Sequence, residues 1–170
     1  MASFGKISRL VTAAGALTAL GVGAVAYTGS WEGKRNTSYR DVAGIWTICY
    51  GATRNVGPDM HLSDKACDER LLADLREHEA GMRACLKQPD ALPDPSYKAF
   101  VSLTYNIGVG AFCRSTARKR LDAGDLAGAC QALTWFDKAG GRTIPGLVAR
   151  RRTGSGGRAP EYKLCMEGVQ

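Results

Sequence analysis

The 170 residues hold only two histidines, His61 and His78, and no C-x-x-C pair. Neither histidine stands at zinc-ligand spacing from a cysteine, so neither a metal nor a cofactor site is expected. No stretch interleaves basic with aromatic residues, which argues against a nucleic-acid partner. Long internal repeats are missing, and a chain of this length then suits one domain, or one domain in two lobes. A strongly apolar run of membrane-spanning length is missing too. The nearest to one, Leu10 to Tyr27, is uncharged but mostly Ala, Gly and Thr, with three Leu and three Val. Leu and Val each favour a bilayer by only a few tenths of a kcal/mol, so membrane residence of this run is marginal.

What is present points outward from the cytoplasm. The formal net charge is +7, which favours anionic partners such as phospholipid or cell-wall polymer and serves equally as a solvating surface. Six scattered cysteines, Cys49, Cys67, Cys85, Cys113, Cys130 and Cys165, read as disulfides formed in an oxidising compartment, against the alternative of buried free thiols.

Lys6 and Arg9 precede the weak apolar run, and three readings of it stay open. A cleaved signal peptide has this basic start and an A-x-A site at Ala24-Val25-Ala26. A stable anchor wants more Leu, Ile and Phe. A segment exported as an anchor and later released from the bilayer tolerates weak hydropathy. The run ends five residues before Glu32, and that closeness favours the third reading.

The stretch from Glu32 to Thr53 carries the chemistry. Glu32-Gly33 is followed by Asp41 in the turn Asp41-Val42-Ala43-Gly44, then by Thr47 in an alternating run, Ile45 to Tyr50, closed by Gly51. Two carboxylates on different elements meet different environments, which lets one act as an acid while the other stays ionised. Alone, Glu32 reads as a surface carboxylate, Asp41 as a turn former and Thr47 as a strand former. Thr47 shares a strand face with Ile45 and Cys49, a face expected to be largely buried.

This stretch resembles the active-site segment of phage-type lysozymes, glycoside hydrolase family 24. The matching residues are Glu32-Gly33, Tyr39-x-Asp41, Gly44 and Trp46 to Gly51. Cys49 stands where many members have Gly, and Ala52 where many have His. Tyr105 to Thr116 resembles the family's central motif, and Ala139-Gly140-Gly141 with Pro145 to Arg151 its closing motifs. The usual Glu soon after the arginine pair is absent; Thr153 to Gly157 stands there and reads as a flexible insertion.

The resemblance implies an α+β fold: a small hairpin lobe and a larger helical lobe, joined by a long helix with substrate in the cleft between them. It implies a muramidase domain over residues 29–170, behind a signal-arrest-release segment over 1–28. Glu32 is then the proton donor, and Asp41 and Thr47 position a water. Arg150 or Arg151 is a candidate partner of Glu32. Tyr105 and Asn106 either line the cleft or pack in the core. Trp135 and Phe136 are expected in the core, and the two histidines at the surface or in packing. The pairings implied are Cys49–Cys67, Cys85–Cys113 and Cys130–Cys165. The expected partners are peptidoglycan and, through residues 10–27, the periplasmic side of the host inner membrane, with release to the periplasm as a monomer. A lytic transglycosylase, needing one acid and no positioned water, and a non-enzymatic basic wall-binding or membrane-disrupting protein are the competing readings.

Locally, Trp31-Glu32 suits a short helix stopped by Gly33. Ser63 or Asp64 caps a helix to about Lys87, with Cys67, Leu71, Leu72, Leu75, His78, Met82 and Leu86 at helical spacing. Asp94-Pro95 opens a helix to Gly108. Shorter helices are expected near 115–123, 125–135, 145–152 and 160–166.

Overall fold

The computed structural model describes residues 8–41 and 43–169. Lys6, the first basic residue before the apolar run, and Val42, in the turn, lie outside them. The fold is α+β, mostly helical, with one small hairpin lobe.

Helix α1 spans Ala19–Glu32, far longer than the short helix expected. It starts on Thr18, whose hydroxyl accepts the Gly21 N–H, and stops at Gly33, with φ 71°. That left-handed backbone costs a glycine little and any L side chain about 1 kcal/mol or more. The helix runs unbroken across the boundary drawn at residue 28, so the second half of the apolar run and Glu32 share one element. No helix of the described residues is long and apolar enough to cross a membrane.

Before α1, residues 8–18 fold back on the helical lobe. Leu10 and Val11 are buried, and Val11 pairs with Leu17 in an isolated bridge. Arg9 stacks on Tyr97, 4.1 Å from its ring centroid, and pairs with Asp94. Beneath it lies Glu79, fully buried, which accepts the Ser8 hydroxyl, the Arg9 N–H at 2.7 Å and the Tyr97 hydroxyl at 2.5 Å. A carboxylate taken out of water is tolerated only with such partners, so this arm and Glu79 depend on each other.

The hairpin lobe pairs β1 (Arg35–Arg40) with β2 (Trp46–Cys49), antiparallel, with Tyr39 opposite Thr47. Thr47, Ile48 and Cys49 are all buried, whereas Ile45 is 51% exposed. The buried face expected for Ile45 therefore fails at that residue, because it precedes the strand and sits at the turn. Cys49 has φ 59°. Glycine takes that conformation freely and an L residue rarely.

Helix α2 (Asp64–Ala84), capped by the Ser63 hydroxyl, links the lobes. Its Cys67 packs with Ile48 and Cys49, and its Leu71, Leu75 and Met82 join the large core. Its buried stripe takes Glu79 where the periodicity suggested His78. The large core is built on α3 (Asp94–Ile107), which packs against α1, α2 and α8 (Glu161–Met166). Around it lie α4 (Val109–Arg114), α5 (Thr116–Asp122), α6 (Leu126–Leu133) and α7 (Pro145–Val148). The two-residue strands β3 (Lys138–Ala139) and β4 (Arg142–Thr143) form a second hairpin around Gly140-Gly141. Phe136 packs on the core, but Trp135 is 52% exposed, with Arg120 5.6 Å from its ring. It follows the end of α6 and so escapes that helix's buried face.

Three disulfides tie these elements. Cys49–Cys67 joins β2 to α2, Cys85–Cys113 joins the end of α2 to α4, and Cys130–Cys165 joins α6 to α8.

Candidate active site

Glu32 is the last residue of α1 and opens onto a cleft of about 340 Å³ between the lobes. Its side chain is 19% exposed. Oε1 accepts a hydrogen bond from Arg150 Nη1 at 2.6 Å, and among the described residues Oε2 has no partner.

Arg150 and Arg151 lie on a π-helical turn, Ala149–Thr153, that follows α7. Adjacent residues of an α-helix do not face one way. In this wider turn both arginines are buried, and both reach Glu161 at the start of α8. Arg150 Nε donates to Glu161 Oε1 at 2.9 Å, and Arg151 Nη1 donates to Oε2. The Ser102 hydroxyl also donates to Oε1, at 2.7 Å. Arg151 continues to the Asn106 side-chain oxygen and to the Phe136 carbonyl, 3.1 Å away. Two cations thus meet two carboxylates in one buried array, and the formal charges cancel. Burial works against the charge on Arg150, but Glu161 and Glu32 outweigh it and hold its pKa above the usual guanidinium value.

Glu161 was not anticipated from sequence. The residues after the arginine pair read as a flexible insertion lacking the customary Glu. Instead Gly154, with φ 76°, turns the chain, a Ser155–Arg158 bridge closes it, and Glu161 returns to the arginines. A Cβ at Gly154 would sit 2.5 Å from the Arg158 carbonyl oxygen, so the turn requires glycine.

Tyr105 and Asn106 both line the cleft. Burial, with the Glu32 and Asp74 carboxylates nearby, pushes the Tyr105 phenol far above its ordinary range. It stays a neutral donor, to the Tyr50 carbonyl at 3.2 Å. Tyr50 in turn donates to Asp68 at 2.5 Å; burial and that carboxylate push its phenol up to about 12.

His78 also lines the cleft, a place its spacing on the apolar stripe did not suggest. It packs edge-on to Tyr105 with centroids 5.2 Å apart, and its Nδ1 lies 2.7 Å from the Asp74 carbonyl oxygen. A carbonyl only accepts, so Nδ1 is the donor in this contact. The visible signal was Arg70, Asp74 and His78 at i, i+4 and i+8, one face of α2 and all cleft-lining.

Asp41 and Thr47 sit on the hairpin and are not among the residues lining this cleft. Asp41 Oδ1 accepts the backbone N–H groups of Ala43 and Ile45, each at 2.9 Å, which fixes the carboxylate over the turn. The Thr47 hydroxyl donates to the Ile45 carbonyl at 3.1 Å. Its proton is thereby committed, and it faces any further partner as an acceptor. Among the described residues, no group of three or more His, Cys, Asp or Glu is placed to hold a metal.

A family model described as phage lysozyme matches residues 29–154. The chain belongs to the phage lysozyme family. It is similar to the SAR-endolysin of Escherichia phage 933W, 43% identical over 116 residues, 65% of this chain. That match spans 64% of the 933W protein, less than two thirds of its length. The SAR-endolysin of Enterobacteria phage P21 is 32% identical over 143 residues, 82% of this chain and 79% of that one. Among solved structures, the endolysin from Escherichia coli O157:H7 phage FAHEc1 superposes with a TM-score of 0.73 at 30% identity. The superposition covers 86% of this chain and 92% of that one. The fold is that of a phage lysozyme, hairpin lobe and helical lobe joined by a long helix.

Proposed function

We propose that this chain is an endolysin that hydrolyses the β-1,4 bond between N-acetylmuramic acid and N-acetylglucosamine in peptidoglycan, lysing the host. The observation that carries the reading is Glu32 on the cleft wall, held by one oxygen on a buried arginine, with the other oxygen unpaired among the described residues. Glu32, a carboxylate in the pair with Arg150, takes up a proton on Oε2 and donates it to the leaving glycosidic oxygen. Asp41 accepts a hydrogen bond from a water and takes that proton as the water attacks, while Thr47, limited to accepting, receives a hydrogen bond from the water's other O–H. The water's lone pair is then left for the anomeric carbon on the opposite face of the sugar. Asp41 also stabilises the positive charge developing there. Attack by water from the opposite face inverts the anomer. No cofactor is needed, and the enzyme acts as a monomer on a wall polymer, not on nucleic acid.

This division of labour is tested on wall suspensions. Asp41→Ala and Thr47→Ala are each expected to slow turbidity loss about 100-fold. Near-normal clearing by both, beside an inert Glu32 variant, would instead favour a transglycosylase, which needs an acid but no positioned water.

The proposal includes control by location. Residues 10–27 hold the enzyme in the host inner membrane, and release to the periplasm activates it. What supports this is that one helix holds both the second half of the weak apolar run, from Ala19, and Glu32, and that the run is only partly buried in the folded domain. Leu10 and Ala24 are fully buried, whereas Leu17 and Val22 are 46% and 55% exposed. While the run lies in lipid, α1 cannot dock and the Arg150 contact cannot form.

Two glycines separate the effects of a longer-lived anchor from those of failed docking. A Cβ at Gly21 would lie 2.0 Å from the Leu10 carbonyl oxygen, so a side chain there blocks docking. A Cβ at Gly23 meets only Lys98, at 3.5 Å. Gly23→Leu is therefore expected to delay release and lysis, yet yield normal specific activity once soluble. Membrane fractionation with lysis timing reads this out; unchanged timing would count against the anchor.

A further inference from the structure

Helix α1 is poorly equipped to hold Glu32 by itself. It contains Gly21, Gly23 and Gly29, each costing about 1 kcal/mol of helix propensity relative to alanine. Its last turn carries no basic residue, although the final carbonyls of a helix lack internal partners and attract positive charge. The missing cation comes from the loop that follows the arginine pair.

Arg158 Nη1 donates to the Ser30 carbonyl at 2.7 Å, two residues before Glu32. Its guanidinium lies over the Trp31 ring, 4.7 Å from the centroid. The guanidinium is itself aimed by Arg158 Nε, which donates to the Ser155 carbonyl at 2.9 Å. One turn further back on α1, the Tyr27 hydroxyl donates to the Ala159 carbonyl at 3.0 Å. The loop therefore grips the last two turns of α1 at three points: a carbonyl, an aromatic face and a phenol.

We infer that Arg158 is a positioning residue: the 154–159 loop clamps the C-terminal turn of α1, and so sets Glu32 against Arg150 in its productive place. The same loop brings Glu161 to Arg150, so both ends of the Glu32–Arg150 pair are located by one seven-residue excursion of the chain, Gly154 to Pro160. Arg158 lies outside the stretch that the family model matches, which ends at residue 154. The clamp also has a consequence for activation, since Ser30 and Trp31 meet Arg158 only when α1 is docked.

The inference rests on Glu32 being the acid, and the experiment keeps the two apart. Wild type, Glu32→Gln, Arg158→Ala and Arg158→Lys full-length proteins are compared on a soluble wall-glycan substrate, with kcat and KM resolved. Arg158 makes no contact with the cleft, so Arg158→Ala is expected to lower kcat about 10-fold with KM within about twofold, since small misplacements of a reacting group are costly. Arg158→Lys keeps the charge and one donor, and is expected to recover part of that loss. Hydrogen exchange is expected to quicken at α1 residues 29–32 in Arg158→Ala, with exchange in α3 and α8 unchanged. Wild-type kcat in an Arg158→Ala protein would overturn the clamp while leaving the acid in place. A fall in kcat accompanied by general loss of exchange protection would also overturn it, since that is a structural role. An active Glu32→Gln protein would overturn the functional reading itself.

Discussion

Glu32→Gln protein is expected to bind peptidoglycan, keep its fold and fail to clear walls, with the rate down by about 100-fold to 10,000-fold. The substitution keeps the shape of the side chain and its acceptor toward Arg150, and removes the carboxyl group that takes up and transfers the proton. Because Arg150 also pairs with Glu161, loss of the Glu32 charge does not leave that guanidinium without a counter-ion. The fold should therefore survive, as native circular dichroism and a cooperative melting transition would show. Near-wild-type clearing by such a protein would end the lysozyme reading, and would return a non-enzymatic wall-binding or membrane-disrupting role to favour.

Glu161→Gln is expected to show the opposite balance: the acid Glu32 is kept, and stability falls sharply. Glu161 is fully buried and faces two buried arginines. Removing one member of a buried ionic array typically costs about 3–5 kcal/mol, because the remaining charge is left uncompensated. For a protein of this size that lowers Tm by on the order of 10 °C. Glutamine still accepts from one arginine, but its amide N–H₂ then confronts the other guanidinium or the Ser102 hydroxyl. Thermal unfolding with disulfides intact checks this. A shift of under about 2 °C would mean that the array contributes little to folding.

Elements with strong local chemistry were legible in the sequence. The Ser63 hydroxyl before an amphipathic run marked α2, and Gly33 marked the end of α1. Asp41 before Gly44 marked the turn that carries its carboxylate. Identity of the hairpin motif placed Glu32 beside a cleft. What escaped was long-range. The start of α1 was hidden because Ala, Gly and Val serve a weak membrane span and a docked helix alike, and periodicity cannot tell them apart. Nothing in the local sequence of α2 marks Glu79 as buried. Its burial depends on Ser8 and Arg9, 70 or so positions away. Glu161 looked unrelated to the arginine pair because the intervening glycines conceal a tight return. His78 looked like packing because its role depends on Tyr105, on another helix.

The central claim is that Glu32 protonates a glycosidic oxygen while a water held at the hairpin attacks the sugar. Digestion of purified peptidoglycan in ¹⁸O-labelled water, with mass analysis of the muropeptide ends, tests it most directly. The account predicts free reducing ends on N-acetylmuramic acid, each carrying one ¹⁸O, produced by wild type and not by Glu32→Gln. Unlabelled 1,6-anhydro ends would contradict it, because they form by internal attack and need no water.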